Sequence, residues 1–299
     1  MEANLGDKFV WWIGVVESRQ DPKKVGRCQV RIVGAHTENK SVIPTEHLPW
    51  AQPLIPLNDT ASLQIKEGDY VVGFYLDGQE SQVPIIMGIL PGIPVALGPA
   101  STGFNDPRTG SELSSAPGGV RYPSRINEPT FSRLARNEKI SQTPIQTKKS
   151  GVQSGVSVAG GGSWSEPKTP YAAVYPYNRV METESGHILE FDDTPGAERV
   201  HIYHRSGTFD EVHPDGSKVV HIKADAYEVV LSDKKIYVKG SLDITADKDI
   251  TLKAGQSVII EAGTDVKIKA GTTFSSEAGA SQEHKGATMT LKGVPMLLN

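Results

Sequence analysis

From Lys239 onward the sequence divides into blocks of eight: Lys239 to Ala246, Asp247 to Ala254, Gly255 to Ala262, Gly263 to Ala270 and Gly271 to Ala278. The fourth positions are Leu242, Ile250, Val258, Val266 and Phe274, and the sixth are Ile244, Leu252, Ile260, Ile268 and Ser276. With Ala246, Ala254, Ala262, Ala270 and Ala278 at the eighth position, fourteen of the fifteen residues on this face are apolar. Positions three, five and seven hold polar residues except at Ile259. Such contrast requires strands with one dry face and one wet face. Glycine opens the later blocks at Gly255, Gly263 and Gly271 and recurs at Gly279, so a corner made by positive φ or a tight bend is expected there.

Eight extended residues reach about 27 Å at about 3.3 Å each, too short to circle a core and return above the starting point. One chain alone therefore cannot close the dry face. Full burial of a Val, Leu or Ile is worth about 1.5–3 kcal/mol, so leaving the stripe in water forfeits on the order of tens of kcal/mol gross per chain. Partner chains must cover it, and three intertwined copies would each supply one wall of a prism, with the alanines near the crowded corners. The competing arrangement is a meander of hairpins with two-residue Gly-Gln and Gly-Thr turns. It would still expose an apolar face and two edges.

The rest of the chain reads as β structure with an interruption. Among 299 residues there are 30 glycines, 20 prolines and few aromatics, which suits many short strands and turns, and no long helical pattern appears. Phe9 to Glu17, Arg27 to Val33, Tyr70 to Leu76 and Pro84 to Leu90 are candidate strands, and four or five strands in residues 1–95 suit a small closed barrel. Residues 96–170, rich in Pro, Gly, Ser and Thr, read as an extended linker partly draped over other subunits. Residues 171–237 resume short strands, including His187 to Phe191, Val200 to His204 and Lys218 to Ile222, and residues 238–299 form the repeat. The fold expected is all-β: barrel, linker, short-strand region and shaft.

Several function classes are disfavoured by composition. A formal charge of −4 without a dense Lys/Arg block argues against nucleic acid or an anionic membrane as main partner. Cys28 is the only cysteine, which excludes an intrachain disulfide or thiolate cluster, and its strand context makes it a small buried core residue. On that strand Arg27, Gln29 and Arg31 are expected on the opposite face. Neither a signal peptide nor an apolar span of membrane length is present, so the protein is expected to be made and kept in the cytoplasm until something else releases it.

Two sets of strings resemble a known family, the central spike or cell-puncturing proteins of contractile-tailed phages and their type VI secretion relatives, the valine-glycine-repeat proteins. Trp11-Trp12-Ile13-Gly14-Val15-Val16-Glu17, Asp21-Pro22, Gly26-Arg27, Val33-Gly34-Ala35-His36 and Pro44-Thr45-Glu46-His47-Leu48-Pro49-Trp50-Ala51 are similar to the family's N-terminal OB-fold domain. Tyr175-Pro176-Tyr177-Asn178-Arg179-Val180, Glu184-Ser185-Gly186-His187 and Asp192-Asp193-Thr194-Pro195-Gly196-Ala197-Glu198-Arg199 resemble the segment that leads into its trimeric β-helix. The resemblance implies a triple-stranded β-helix for the eight-residue blocks, in agreement with the geometry. It also implies a structural spike in the virion's tail baseplate that punctures the host outer membrane mechanically.

One departure concerns enzymatic activity. A well-known member of the family carries a lysozyme domain between barrel and shaft, whereas the corresponding interval here is half the length needed. Glu112, Glu128, Glu138 and Glu166 are scattered through it without a context that holds paired carboxylates, and they read as solvated charges. No catalytic residue and no cofactor is therefore expected. A peptidoglycan hydrolase is the alternative from another class, and an adhesin for surface glycans is a third. A secretion-system spike is the alternative within the class, disfavoured because the chain starts almost directly in the barrel.

Remaining candidates are weighed by context. His187, His201, His204, His213 and His221 lack the spacing of a metal site and are expected as surface imidazoles. His284 alone lies near the tip, where threefold symmetry would bring three copies around one axis, and it is the one metal candidate. Trp11, Trp12 and Trp50 are expected in the barrel core or against a separate tail hub protein, since no basic groove accompanies them. Val294, Met296, Leu297 and Leu298 form an apolar end that should not face water. A small separate tip protein of the PAAR type is its expected partner.

Overall fold

The computed structural model describes residues 9–57, 65–92, 130–132, 134–137, 152–183, 186–290 and 293. Five strands, β1 (Trp11–Ser18), β2 (Cys28–Ile32), β3 (Trp50–Pro53), β4 (Tyr70–Tyr75) and β5 (Pro84–Leu90), close into a barrel in the order β1-β2-β3-β5-β4. All pairs are antiparallel except β3 with β5. This is the compact five-stranded barrel of an OB-fold. Alternate residues point inward, so Trp12, Val16, Val30, Val71, Tyr75 and Ile86 share one core with Cys28, whose thiol burial pushes up to about 12. Gly73 is required by that packing: a Cβ there would sit 2.0 Å from the Ile85 carbonyl oxygen and 2.5 Å from the Trp12 ring.

The outer face of β2 differs from expectation, because all five of its residues are buried. Arg31 lies under the loop that follows β2, bonded to Glu17 at 2.7 Å and to the Thr37 and Ile43 carbonyls, while Gln29 donates to the Leu48 carbonyl. Polar residues alternate correctly in the sequence, but their hydrogen-bonding capacity is met by protein. Asp21 folds the turn before β2 by accepting from the Lys23, Val25 and Arg27 amides and pairing with the Arg27 guanidinium.

A two-stranded ribbon, β6 (Val156–Ser157) with β7 (Ser163–Trp164), turns through Gly160, Gly161 and Gly162, all at positive φ. Then β8 (Asn178–Glu182), β9 (Ile188–Asp192), β10 (Arg199–Tyr203), β11 (Phe209–Val212) and β12 (Lys218–His221) run as one antiparallel meander. Its inner face packs Ile188, Tyr203, Phe209 and Val219 against Tyr171, Ala173 and Leu134. The segment expected as linker thus contributes Leu134 to a core, held there by hydrogen bonds from Tyr171 and Asn178 to its carbonyl.

Two units are distinguished, Met1–Thr245 and Ala246–Asn299. Past β12 the described residues form no strand, yet bends recur at 223–224, 231–232, 239–240, 247–248, 255–256, 263–264, 271–272 and 279–280. The spacing is eight throughout, and the register begins two blocks earlier than the sequence repeat. Gly255, Gly263, Gly271 and Gly279 each open a bend, but none has positive φ, and the earlier bends form at Lys223, Leu231, Lys239 and Asp247. The corner is therefore a change of direction that residues other than glycine also make.

Candidate functional site: a buried ionic layer and an uncovered stripe

The meander's inner face carries charged residues beside its apolar core. Alternation on β9, β10 and β11 turns Glu190, Arg199, His201 and Glu211 inward, and each is at most 2% exposed. Arg199 bridges both carboxylates, at 2.7 Å to Glu190 and 2.8 Å to Glu211. Glu190 also accepts from Asn178 at 2.8 Å and from His201 Nδ1–H at 3.0 Å, and Glu211 accepts from Thr169 at 2.7 Å. The Arg199 guanidinium stacks over the Tyr171 ring at 5.0 Å. Burial alone would raise the Glu190 carboxyl, but the His201 hydrogen bond, the Arg199 charge and the Asn178 bond outweigh it and hold the group below its usual range. The carboxylate oxygens of Glu190 and Glu211 are sealed and shared, so these two groups suit fixing of strand register rather than acid–base work.

The histidines expected at the surface divide. His201 is fully buried and His213 nearly so, because His201 faces Glu190 across the β9–β10 pair and His213, just past β11, sits 3.2 Å from Glu211. His221 pairs with Glu166 and stacks on Phe209 at 5.1 Å. Glu166 is accordingly not a free solvated charge: it joins the ribbon to β12 and also accepts from the Gln153 amide. His187 and His204 face each other at 4.4 Å. Among the described residues no three His, Cys, Asp or Glu side chains converge as metal ligands. Glu112, Glu128 and Glu138 lie outside the described residues.

The meander's other face is apolar and open. Met181, Phe191, Val200, Ile202 and Val220 are 40–58% exposed across adjacent strands. The repeat shows the same condition more strongly: Leu242, Ile244, Ile250, Leu252, Val258, Ile260, Val266, Ile268 and Phe274 are 58–80% exposed. Ala246, Ala254, Ala262, Ala270 and Ala278 are exposed as well. Soluble single chains rarely present contiguous apolar surface of this extent.

In the barrel, Trp12 is buried, whereas Trp11 is 66% exposed and Trp50 is half-buried beneath the Arg27 guanidinium at 5.2 Å. Trp11 stands beside Phe74 in the β1–β4 register, and Phe9 packs on that same ring at 5.3 Å. The barrel thus keeps an aromatic outer face. His284 is exposed and falls on the sixth position of its block. Val294, Met296, Leu297 and Leu298 lie outside the described residues. The ionic layer escaped the sequence reading; its only signal was the placement of Glu190, His201 and Glu211 on the same alternating phase as Ile188, Tyr203 and Phe209.

Comparison with known proteins agrees with this architecture. The family described as the Gp5 N-terminal OB domain matches residues 34–160. Protein Gp5 of Vibrio phage KVP40 is 41% identical over 290 residues, covering 84% of this chain and 66% of that protein. The pre-baseplate central spike protein Gp5 of Enterobacteria phage T4 is 44% identical over 77 residues, covering 26% of this chain and 13% of that one. The chain spans just under two thirds of the first relative's length and a small part of the second's. With an all-β fold and an OB barrel at its N-terminal end, the chain is similar to the phage Gp5 proteins, one of which is named a pre-baseplate central spike protein.

Proposed function

We propose that the chain is the structural spike at the axis of a contractile phage tail, a homotrimer whose C-terminal prism is driven through the host outer membrane by sheath contraction. The similarity to phage Gp5 proteins, one of them named a pre-baseplate central spike protein, supports a place in the virion's tail baseplate. The observation that carries the mechanical reading is the apolar stripe bent every eight residues and left uncovered by its own chain. Two further copies cover it, and interchain ladders then give a narrow prism its stiffness. Strands that find no hydrogen-bond partner within one chain find them between chains, as buried backbone groups must.

Other roles follow from placement. The aromatic face around Trp11 and Phe74 suits attachment to a separate hub protein. Val294, Met296, Leu297 and Leu298 suit a PAAR-type tip protein, and three copies of His284 would meet near the axis. The spike acts without catalysis or cofactor, on mechanical force alone, and does not engage nucleic acid. Virions carrying Leu252→Asp with Ile260→Asp are expected to contract on host contact yet fail to admit an apolar fluorescent probe through the outer membrane. Clearing of peptidoglycan by the purified chain, or normal permeabilisation by a chain lacking residues 238–299, would contradict the reading.

A further inference from the structure

The first two bends extend the eight-residue register to Lys223–Val230 and Leu231–Val238, and there the wet and dry faces lose their contrast. Of the fifth and seventh positions, polar in later blocks except at Ile259, three of the four here hold Tyr227, Val229 and Tyr237, which are 86%, 81% and 89% exposed, and the other holds Lys235. These side chains point away from the prism axis under the repeat's own phase, so a second and third copy of the shaft strands cannot bury them. Something must lie on the outside of the shaft at this level.

The ribbon β6–β7 is already attached there at two points. Glu166 at its base bonds His221 at 3.0 Å, and the Ser157 carbonyl near its tip accepts from the Thr245 hydroxyl at 3.0 Å. His221 and Thr245 are 24 residues apart, three blocks of eight. In a three-walled prism that is one full circuit, so both anchors fall on the same wall, under the chain's own ribbon. The two blocks between them lie on the other two walls. That accounts for an anchored ribbon that leaves Tyr227, Val229 and Tyr237 bare.

We propose that residues 152–166 form a clasp on the outside of the shaft's base, each ribbon covering the outward apolar residues of the neighbouring copies. The ribbon offers Val156, Val158 and the half-exposed Trp164 for that contact. The proposal rests on the trimeric reading above and adds an interaction between copies that the shaft strands do not make. Its role is to bind the three chains before the regular repeat begins.

The test is a Tyr237→p-benzoyl-phenylalanine chain co-expressed with an unsubstituted full-length chain carrying a different affinity tag. Assemblies holding both tags are irradiated, and light scattering is run beforehand. The expected product is a covalent pair of chains whose linked peptide joins position 237 to residues 152–166. A link to the ribbon only within one chain, links only to other segments, or no link at all would overturn the clasp while leaving the trimer standing. A one-chain mass would instead overturn the trimeric reading. If the substitution at 237 impairs folding, Trp164→p-benzoyl-phenylalanine gives the reciprocal probe, with residues 223–238 of another copy as the expected target.

Discussion

Arg199 holds two carboxylates that water cannot reach, and its loss leaves both without a counter-charge. Breaking a buried pair in this way costs about 3–5 kcal/mol, so Arg199→Met is expected to lower the stability of the meander by that amount in chemical denaturation. A change under about 1 kcal/mol would mean that Asn178, His201 and Thr169 suffice. Acid acts on the same kind of contact. The Arg27 hydrogen bond, opposed by burial and helped by backbone amides, holds Asp21 well below its usual range. Burial would raise Glu17, but the Arg31 and Thr45 hydrogen bonds prevail and lower it, as the His201, Asn178 and Arg199 contacts lower Glu190. A folded-state value below the unfolded one contributes stability that is complete above the unfolded value of 4.5 for the glutamates and is lost as pH falls through the folded one. The unfolding temperature should therefore drop between about pH 5 and pH 3, and a flat profile there would contradict the assignment. At this scale the sequence was a partial guide. Cys28 was legible because its neighbours Val30 and Ile32 share its face, whereas buried Arg31, Glu190 and His201 were not, since a charged residue on an alternating strand reads as solvent-facing until its partner is known.

Where turn residues bound a run of strand formers, the boundaries agree within a residue or two, as in β4, β5, β10 and β12. Others were missed for identifiable reasons. Trp50–Pro53 is four residues with proline at its end, and its parallel pairing to β5 comes from the barrel's closure rather than from the segment. Phe209–Val212 interleaves Phe209 and Val212 with Asp210 and Glu211, so no periodicity remains once Glu211 turns inward. Of the two conformations expected at the corner glycines, positive φ or a tight bend, they take the bend, because a turn between extended segments needs no left-handed residue. Within the barrel the decisive element contact is β4 on β1 and β5. Gly73→Ala, which drives a Cβ against the Ile85 carbonyl and the Trp12 ring, is expected to cost about 1–3 kcal/mol in denaturant unfolding. Gly88→Ala, with nothing within 4 Å of its added carbon, should change stability by less than about 1 kcal/mol. Equal effects of the two would show that the close approach at Gly73 is not maintained.

Taken whole, the molecule has two ways of burying apolar surface. The barrel core and the inner face of the meander are closed by the chain itself. The outer face of the meander and the stripe from Leu242 to Phe274 are not. This second condition was legible before any coordinates, because fourteen of the fifteen residues on one face of the eight-residue blocks are apolar. What the sequence did not reveal was how far the condition extends toward the N-terminus: the bends begin at residue 223, where Glu228, Lys234 and Tyr237 obscure the repeat. The central claim is that three copies are needed to close the shaft. Light scattering on the purified full-length chain measures this directly: the account predicts three times the 32.2 kDa chain mass, and a soluble, folded particle of one chain mass with residues 223–290 protected from protease would contradict it.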